Sequence, residues 1–411
     1  ASGTCFTNNY CTFPLCAPAR ASWFTGCMAS RTGVVGNANA RHGAVVVPPD
    51  LPRLGVTFAN AGYRLAYFGK DHSAGMTRGF EDFGSKRFDG AGYLADGCIL
   101  DPIFTRDTVA FLRSKPREPF FLTCSFVNPH DICMTPAHVD TPNRTVADIN
   151  DGFRNADQYL RGQELPRLPE NFDAPVPEVL RRGHGSGSID AALGWDATRW
   201  RRFLAGYYAL IENTDWLMGL VLDALSESGL DDNTVVVFTS DHGEQAAAHH
   251  LLGKLWLFEE SVRTPLIVRD PRQRLYQEPV ASGLVSGADL FPSLCDLCGI
   301  DPPDSVDGRS FTSLIQNEGG TPGRSYVVSE TVDARMLRFD HYKYVRHEGD
   351  TVSEFLYDLA ADPGEADGLT QMDAAPEALV RARRYYEDYC GETRTRIRDT
   401  QRLWDVLQTV K

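Results

Sequence analysis

The chain has 411 residues, enough for a large layered enzyme fold and too many for one small binding module. Its 41 Lys and Arg residues against 55 Asp and Glu residues give a formal net charge of −14, which argues against nucleic acid or an anionic membrane as a partner. Hydrophobic residues make up 42 % of the chain, which excludes wholesale disorder, and no apolar run reaches the roughly 18 residues that a membrane helix needs. We therefore expect a globular enzyme with no membrane span.

The first predicted helix begins close to the amino terminus, in the segment CAPAR that runs from Cys16 to Arg20. Proline is favoured in the first turn of a helix, so Pro18 places Cys16 at the positively polarised helix start. Arg20 lies one turn further along and could face an anion there. Taken alone, these residues fit a reactive thiol at an anion site and a buried structural cysteine about equally well.

Two predicted strands follow, and each ends directly before a cluster of polar side chains. Arg64–Gly69 is a short strand, and Pro119–Val127 is a near-continuous apolar run that is typical of a strand buried on both faces. The clusters after these strands are Lys70-Asp71-His72 and Asn128-Pro129-His130-Asp131. A single histidine or lysine after a strand is usually a solvated loop residue, so neither cluster is decisive by itself.

The segment from about residue 135 to residue 195 interrupts the alternation of strands and helices. It is rich in Pro, Asp, Arg and Gly, and we interpret it as a long surface excursion that could act as a lid. After it, apolar residues at three- and four-residue spacing from Trp200 to Leu225 predict one long amphipathic helix that ends at Gly229.

Two more short strands, Thr234–Thr239 and Pro265–Val268, precede a helix over Asp289–Gly299. The polar residues that follow the first of these strands are Asp241, His242, His249 and Lys254. Strands alternating with helices predict an α/β fold whose central sheet is mainly parallel and covered by helices on both faces. In such sheets ligands bind at the carboxyl ends of the strands, which is where the polar clusters lie.

Beyond about residue 305 the pattern changes to short alternating stretches. These stretches are Ser325–Ser329, Arg335–Phe339, Lys343–Arg346 and Glu354–Tyr357. They predict a small antiparallel sheet on which a final helix, Ala375–Leu407, packs. We therefore divide the chain into a catalytic domain of residues 1–305 and a smaller C-terminal α+β subdomain of residues 306–411.

The strand-end clusters and the helix start at Cys16 together form one set of reactive groups at the predicted carboxyl edge of the sheet. Asp241 and His242 offer oxygen and nitrogen ligands for a metal. The set also contains two ammonium groups, two or three imidazoles and a guanidinium. Such groups can stabilise a dianionic tetrahedral ester in its transition state.

The same motifs resemble a known family. CAPAR followed by TG resembles the sulfatase signature C-x-P-x-R…TG, whose cysteine is converted to formylglycine by a dedicated enzyme. GYRLAYFGKDH resembles the second sulfatase signature, with Asp71 where tryptophan is common. VVVFTSDHGEQAAAHHLLGK is similar to the metal-binding strand and loop of the family, and FLYDLAADPGE matches a C-terminal segment. The matches run in the family's order from Cys5 to about Glu365.

The resemblance to sulfatases implies an alkaline-phosphatase-like fold and a covalent mechanism. Cys16, as formylglycine, would be hydrated to a geminal diol, and one hydroxyl would attack sulfur and displace the alcohol. Deprotonation of the other hydroxyl would release sulfate and regenerate the aldehyde. The implied partners are a sulfated small molecule or glycan and the formylglycine-generating enzyme that matures Cys16.

The resemblance also implies site residues in three overlapping groups. The catalytic residues would be Cys16, Arg20, Lys70, His72, His130 and Lys254. The substrate-binding residues would be Lys70, His130, His249 and Lys254. The metal ligands would be Asp241, His242 and Cys16 as formylglycine.

Individual roles follow from the same resemblance. Arg20 would hold the formylglycine, and the two lysines would bind sulfate oxygens. His72 would take the proton from the second diol hydroxyl, and His130 would protonate or contact the leaving oxygen. Asn37 could also face the site. Ca²⁺ is the usual metal of the family, and the nitrogen ligand at His242 leaves Mn²⁺ or Mg²⁺ open.

The chain departs from the family pattern at its start. Family members carry two acidic or amide metal ligands on a first strand before the cysteine signature, and this sequence opens at Ala1 without that strand. Two protein ligands and one diol oxygen are few for a cation that prefers about six to eight oxygens. We therefore expect the chain as it stands to be N-terminally truncated, to bind metal weakly and to turn over slowly.

Three other interpretations stay open at this point. The first is a phosphonate or phosphate ester hydrolase of the same superfamily, and the second is a metal-deficient remnant that binds sulfated ligands without catalysis. The third is a metal-independent thiol hydrolase that uses Cys16 directly. The ten cysteines show no disulfide framework, which favours a cytoplasmic location slightly.

Overall fold

The structure is a computed structural model that describes most of the chain. The described residues are 3–37, 48, 50–80, 96–117, 119–134, 164–181, 192, 194–272, 280–316, 323–348, 352–368 and 375–391. Residues 135–163 of the predicted excursion and residues 392–407 of the predicted final helix lie outside this set.

The first quarter of the chain builds the helix that carries the candidate nucleophile. Its elements are β1 (Thr4–Phe6), β2 (Asn9–Tyr10), α1 (Cys16–Thr25), α2 (Ala29–Thr32), α3 (Leu54–Asn60) and β3 (Arg64–Gly69). Helix α1 begins at Cys16 with Pro18 in its first turn, as predicted. It ends at Gly26, whose φ of 65° is the left-handed conformation that glycine adopts without strain.

The middle of the chain contributes a second helical layer. Its elements are α4 (Asp96–Arg113), β4 (Phe120–Ser125), α5 (Glu178–Arg181), α6 (Ala197–Glu227) and β5 (Val236–Thr239). Helix α6 confirms the long amphipathic helix; the Asp196 side chain caps it by accepting from the Arg199 N–H at 2.7 Å. Ile211 and Leu222 belong to the predicted apolar stripe, yet they are 40 % and 50 % exposed, because the buried face is narrower than the stripe.

The remaining elements complete the site and form the C-terminal region. They are α7 (Glu259–Val262), β6 (Leu266–Arg269), β7 (Val280–Ala281), β8 (Val285–Ser286), α8 (Leu290–Leu297), α9 (Thr312–Gln316), β9 (Val327–Glu330), β10 (Ala334–Phe339), β11 (Tyr342–Glu348), β12 (Val352–Asp358) and α10 (residues 376–391). Strands β9 to β12 form an antiparallel sheet in the order β12-β11-β10-β9, which confirms the predicted C-terminal sheet.

The described strands around the site form mixed sheets, and the prediction of a mainly parallel central sheet stays a prediction. Strand β3 pairs in parallel with β4, as does β1 with β7 and β2 with β8, whereas β6 pairs antiparallel with both β5 and β1.

Helices cover the β3–β4 pair on both faces, as predicted. On one face Tyr67 packs with Phe24 of α1 and Phe58 of α3, and on the other Phe68 packs with Phe111 of α4. All six residues of β4 are only partly buried, although its apolar run predicts full burial. Among the described residues, no helix combines the length and apolar character needed to cross a membrane.

Candidate active site

Cys16 lies at the centre of a cluster of nitrogen-bearing side chains. Its Sγ atom is 3.2 Å from Nε2 of His242, 3.4 Å from Nζ of Lys254 and 3.6 Å from Nζ of Lys70. These residues come from the start of α1, from the end of β3 and from the loop after β5. The fold therefore brings together four of the predicted site residues that lie up to 238 positions apart.

The electrostatic surroundings of Cys16 favour a negative charge. Burial alone would raise the pKa of its thiol, but Lys254, Lys70 and His242 outweigh burial and hold that pKa well below its usual range. The amino-terminal end of α1 adds the same sign of potential. Asn37 is close by, since its side-chain oxygen accepts from the backbone N–H of Ala17 at 3.1 Å.

Arg20 holds the residues around Cys16 in position, and none of its hydrogen bonds among the described residues goes to Cys16 itself. Its Nε donates to Asp241 Oδ2 at 2.8 Å, and its Nη1 donates to the Lys70 carbonyl and to Ser125 Oγ, each at 2.8 Å. Burial would raise the pKa of Asp241, but His242 and Arg20 overcome that effect and hold it well below its usual range. Arg20 thus ties the ends of three strands to α1 and keeps the Asp241 carboxylate ionised.

His130 faces the same centre from the end of β4, after a cis Asn128–Pro129 peptide bond. Its Nδ1 is 3.4 Å from Lys254 Nζ. Burial and the neighbouring Lys254 charge lower the pKa of His130 to about 4, so the ring is neutral at pH 7. Because an ammonium group can only donate, Nδ1 accepts from Lys254 and the ring proton lies on Nε2.

The predicted base His72 is fully buried in the turn after Lys70. Its backbone adopts a left-handed φ of 42°, and among the described residues neither ring nitrogen has a hydrogen-bond partner. The preceding Asp71 stabilises the turn, since its carboxylate accepts from the hydroxyls of Ser73 and Thr77. A buried imidazole with both nitrogens unpaired is suited to a proton acceptor that meets its partner only in a complex.

His249 lies on the same loop as His242 but is directed elsewhere. Its ring stacks on Phe258 with 3.9 Å between ring centroids, and its Nε2 lies 3.4 Å from the Asn171 side-chain nitrogen. No contact joins it to Cys16 among the described residues. A part in substrate binding for His249 stays a prediction.

Three ligand-type side chains converge where the sequence predicts a metal. Atoms of Cys16, Asp241 and His242 all lie within 4.8 Å of one another. His242 Nδ1 is 2.8 Å from the Gly243 carbonyl, which can only accept, so Nδ1 carries a proton and Nε2 is the ring nitrogen that faces Cys16. A carboxylate beside an imidazole nitrogen is a donor set suited to a divalent cation.

Several supporting residues carry no signal in the sequence. Ser125 Oγ donates to the Lys70 carbonyl at 2.8 Å, and Tyr67 Oη donates to the same carbonyl at 2.6 Å. Asp101 of α4 accepts from the backbone N–H groups of Val127 and Asn128 at 2.7 and 3.0 Å. These residues fix the strand ends that carry Lys70 and His130. Serine, tyrosine and aspartate are common on helices and strands, so only the tertiary contacts reveal these roles.

Comparison with known proteins places this site in a family context. The sulfatase family profile matches residues 1–300, and the profile of the N-sulphoglucosamine sulphohydrolase C-terminal region matches residues 247–383. The Delta 4,5-hexuronate-2-O-sulfatase of Bacteroides thetaiotaomicron is 31 % identical over 412 aligned residues, which cover 94 % of this chain and 81 % of that protein. The choline-sulfatase of Rhizobium meliloti is 28 % identical, with 90 % of this chain and 76 % of that protein covered.

Solved structures give the same result at the level of the fold. A 2-O GAG sulfatase superposes with a TM-score of 0.81 at 29 % identity, covering 97 % of this chain and 86 % of that one. The phosphonate monoester hydrolase of Agrobacterium radiobacter superposes with a TM-score of 0.74 at 22 % identity, covering 96 % and 89 %, and shares the fold. The α/β architecture with a separate C-terminal antiparallel sheet is therefore alkaline-phosphatase-like, as the sequence motifs predict.

Proposed function

The chain belongs to the sulfatase family, and from this premise we propose that it hydrolyses a sulfate monoester at Cys16. The observation that carries the proposal is the convergence of Lys70, Lys254 and His242 on the Cys16 Sγ atom. The two lysines supply positive charge in a buried site whose described carboxylates are Asp241 and, near Lys254, Glu244. A sulfate monoester carries one negative charge, and more negative charge develops on its oxygens in the transition state, so its charge is opposite to that of the lysines.

The lysines bind sulfate oxygens in this proposal. Burial lowers the pKa of Lys70 and would lower that of Lys254, but the negative charges near Lys254, Cys16 foremost, raise the pKa of Lys254 above its usual range. When formylglycine replaces the thiolate, the bound sulfate supplies the negative charge that keeps Lys254 protonated. In a site shielded from water, such an ammonium group stabilises the developing charge more strongly than it would in solution.

The two histidines handle protons on opposite sides of the reaction. Neutral His130 donates a hydrogen bond from its Nε2 N–H to the leaving-group oxygen as the ester bond breaks, which stabilises the charge that develops there. His72, whose ring nitrogens are unpaired among the described residues, accepts the proton whose removal releases sulfate. Arg20 positions Asp241 and the end of β3 and does not itself exchange protons.

In this proposal the site also needs formylglycine and a divalent cation, and residues already described would provide both. Formylglycine formed from Cys16 supplies an oxygen nucleophile in place of the thiol, and the formylglycine-generating enzyme is the partner that we propose for this step. Asp241 and His242 would hold a divalent cation, Ca²⁺ first and Mn²⁺ or Mg²⁺ next, which polarises the oxygens bound to it.

A sulfated carbohydrate is the substrate class that we propose. Both a curated relative and a solved structure with high similarity act on 2-O-sulfated units by their names, one on Delta 4,5-hexuronate and one on GAG. A 2-O-sulfated unsaturated uronate disaccharide is therefore the first natural compound to test, next to a simple aryl sulfate.

The decisive experiment compares the wild-type protein with the Cys16→Ala variant after co-expression with a formylglycine-generating enzyme. We expect the wild type to release sulfate from an aryl sulfate and the variant to lose activity by at least about 10³-fold, because no nucleophile remains. Mass spectrometry should show formylglycine at position 16 of the wild type alone. A chelator should inhibit the wild type, and added Ca²⁺ should restore it.

Two outcomes would favour the alternatives. Faster turnover of an aryl phosphonate than of the aryl sulfate would identify a phosphonate hydrolase of the same superfamily. Chelator-resistant activity with an unmodified Cys16 would identify a thiol hydrolase.

A further inference from the structure

The loop that joins His242 to Lys254 has an unusual backbone. Ala246, Ala247, His249 and His250 all adopt a positive φ, between 46° and 74°. This conformation is sterically unfavourable for residues with a Cβ atom, so four of them within five positions persist only where surrounding contacts impose it. The loop therefore depends on its neighbours for its shape.

Hydrogen bonds within the loop connect the strained segment to the residue before Lys254. The Gln245 N–H donates to the Gly253 carbonyl at 2.9 Å, and the Glu244 carboxylate accepts from the Gly253 N–H. Lys254 is the next residue along the chain. Any change in the strained segment consequently moves the ammonium group that contacts Cys16.

Asn171 clamps the strained segment from outside. Its backbone carbonyl accepts from the His249 N–H at 3.0 Å, and its side-chain nitrogen lies 3.4 Å from His249 Nε2, so the side chain also contacts the strained segment. The same side-chain N–H₂ donates to Glu260 Oε1 at 2.8 Å and to the Gly364 carbonyl at 3.4 Å. Three distant parts of the chain thus meet at one side chain: the described part of the excursion, helix α7, and the turn after β12. None of these contacts reaches Cys16.

Further contacts hold the segments that contain Glu260 and Gly364, the two other partners of Asn171. Glu365, which follows Gly364, accepts from the Glu259 backbone N–H at 2.7 Å and lies 2.7 Å from the buried Lys343 ammonium. On the loop side, the Ser261 carbonyl accepts from the Gly243 N–H at 2.8 Å. A continuous set of contacts therefore leads from the C-terminal sheet through α7 to the loop of His242 and Lys254.

We infer that Asn171 is a positioning residue for sulfate recognition: it holds the strained Ala246–His250 segment so that Lys254 reaches the sulfate bound at Cys16. This inference rests on the proposed sulfatase function. It also assigns a role to the described part of the excursion, which is to hold the loop between His242 and Lys254 in position.

The test is the Asn171→Asp variant, which keeps the side-chain shape but sets a carboxylate against Glu260. We expect KM for an aryl sulfate, and the inhibition constant of inorganic sulfate, to rise on the order of 10-fold, because a displaced Lys254 binds both more weakly. The second change Glu260→Gln exchanges donor and acceptor, so the double variant should recover most of the loss. Glu170→Gln is the matched control: Glu170 is exposed on the same segment, directly before Asn171, and its substitution should leave both constants unchanged.

Several results would overturn the inference. A folded Asn171→Asp variant with wild-type KM and sulfate inhibition would do so, as would a loss confined to kcat in proportion to the unfolded fraction. If this variant does not fold, Asn171→Ala carries the test, with a smaller rise of both constants expected and unchanged constants counting against the inference. Failure of the proposed function itself is distinct, since the wild type would then not hydrolyse the ester.

Discussion

Two buried lysine environments in this molecule differ in one respect, the balance of charge around them. In the C-terminal sheet the Lys343 ammonium lies 2.7 Å from Glu365 and 3.4 Å from Glu259, so carboxylates of the fold itself pair with this cation. At Cys16, two lysines and an arginine outnumber the nearby carboxylates of the described residues, Asp241 and Glu244. Burying unbalanced charge is unfavourable unless a ligand supplies the opposite charge. The comparison indicates that the first cluster serves the fold and the second serves an anionic ligand.

The largest expected effect is the loss of stability when the charge of Lys343 is removed. Lys343→Met should leave the buried Glu365 carboxyl without its cation and lower the free energy of unfolding by about 3–5 kcal/mol. Denaturant unfolding followed by fluorescence measures this loss. The exposed Arg384–Asp388 pair on α10 provides the control, because Arg384→Met should change stability by less than about 1 kcal/mol. A Lys343→Met variant as stable as the wild type would contradict the structural assignment of this cluster.

Lys70→Met tests the cluster of positive charges around Cys16. The side chain is buried, and its removal takes away one of the ammonium groups that face Cys16. We expect kcat/KM for an aryl sulfate to fall roughly 10²- to 10³-fold, equivalent to about 3–4 kcal/mol of lost transition-state stabilisation. Thermal stability should stay equal or rise, because one repelling charge is gone. A stability loss like that of Lys343→Met would contradict the distinction drawn between the two clusters.

A smaller effect concerns Asp101, a buried carboxyl held by two backbone N–H groups. Burial raises its pKa to about 7, against which the Val127 and Asn128 N–H groups act only partly. The folded state therefore binds a proton that the unfolded state releases near pH 4. This contribution to stability is complete below pH 4 and is lost as the pH rises through 7.

Asp101→Asn should remove that dependence on pH. Between pH 5 and pH 7.5 the wild type should lose on the order of 1–2 kcal/mol more of its unfolding free energy than the variant does. Urea unfolding at both pH values measures the difference. Parallel losses in the two proteins would show that Asp101 is already ionised at pH 5.

The local sequence determined where the chemistry lies. Pro18 and Gly26 set the bounds of α1, and the apolar run before Lys70 sets the end of β3, because capping and hydrophobic spacing act over a few residues. The family motifs added the order and the kind of reactive groups. For these reasons Cys16, Lys70 and Lys254 could be named in advance.

Tertiary structure alone decided how the groups are held and which way the sheet runs. Strand β6 pairs antiparallel with β5 and with β1, which lies near the other end of the catalytic region, and no local pattern encodes such pairings. Asp101 and Asn171 are distant in sequence from the groups they support, and His249 packs on Phe258 rather than against Cys16. Such roles arise from contacts between segments far apart in the chain, and burial sets the charge balance there. The sequence determined the reactive groups, and the fold determined which buried charges are left to bind an anion.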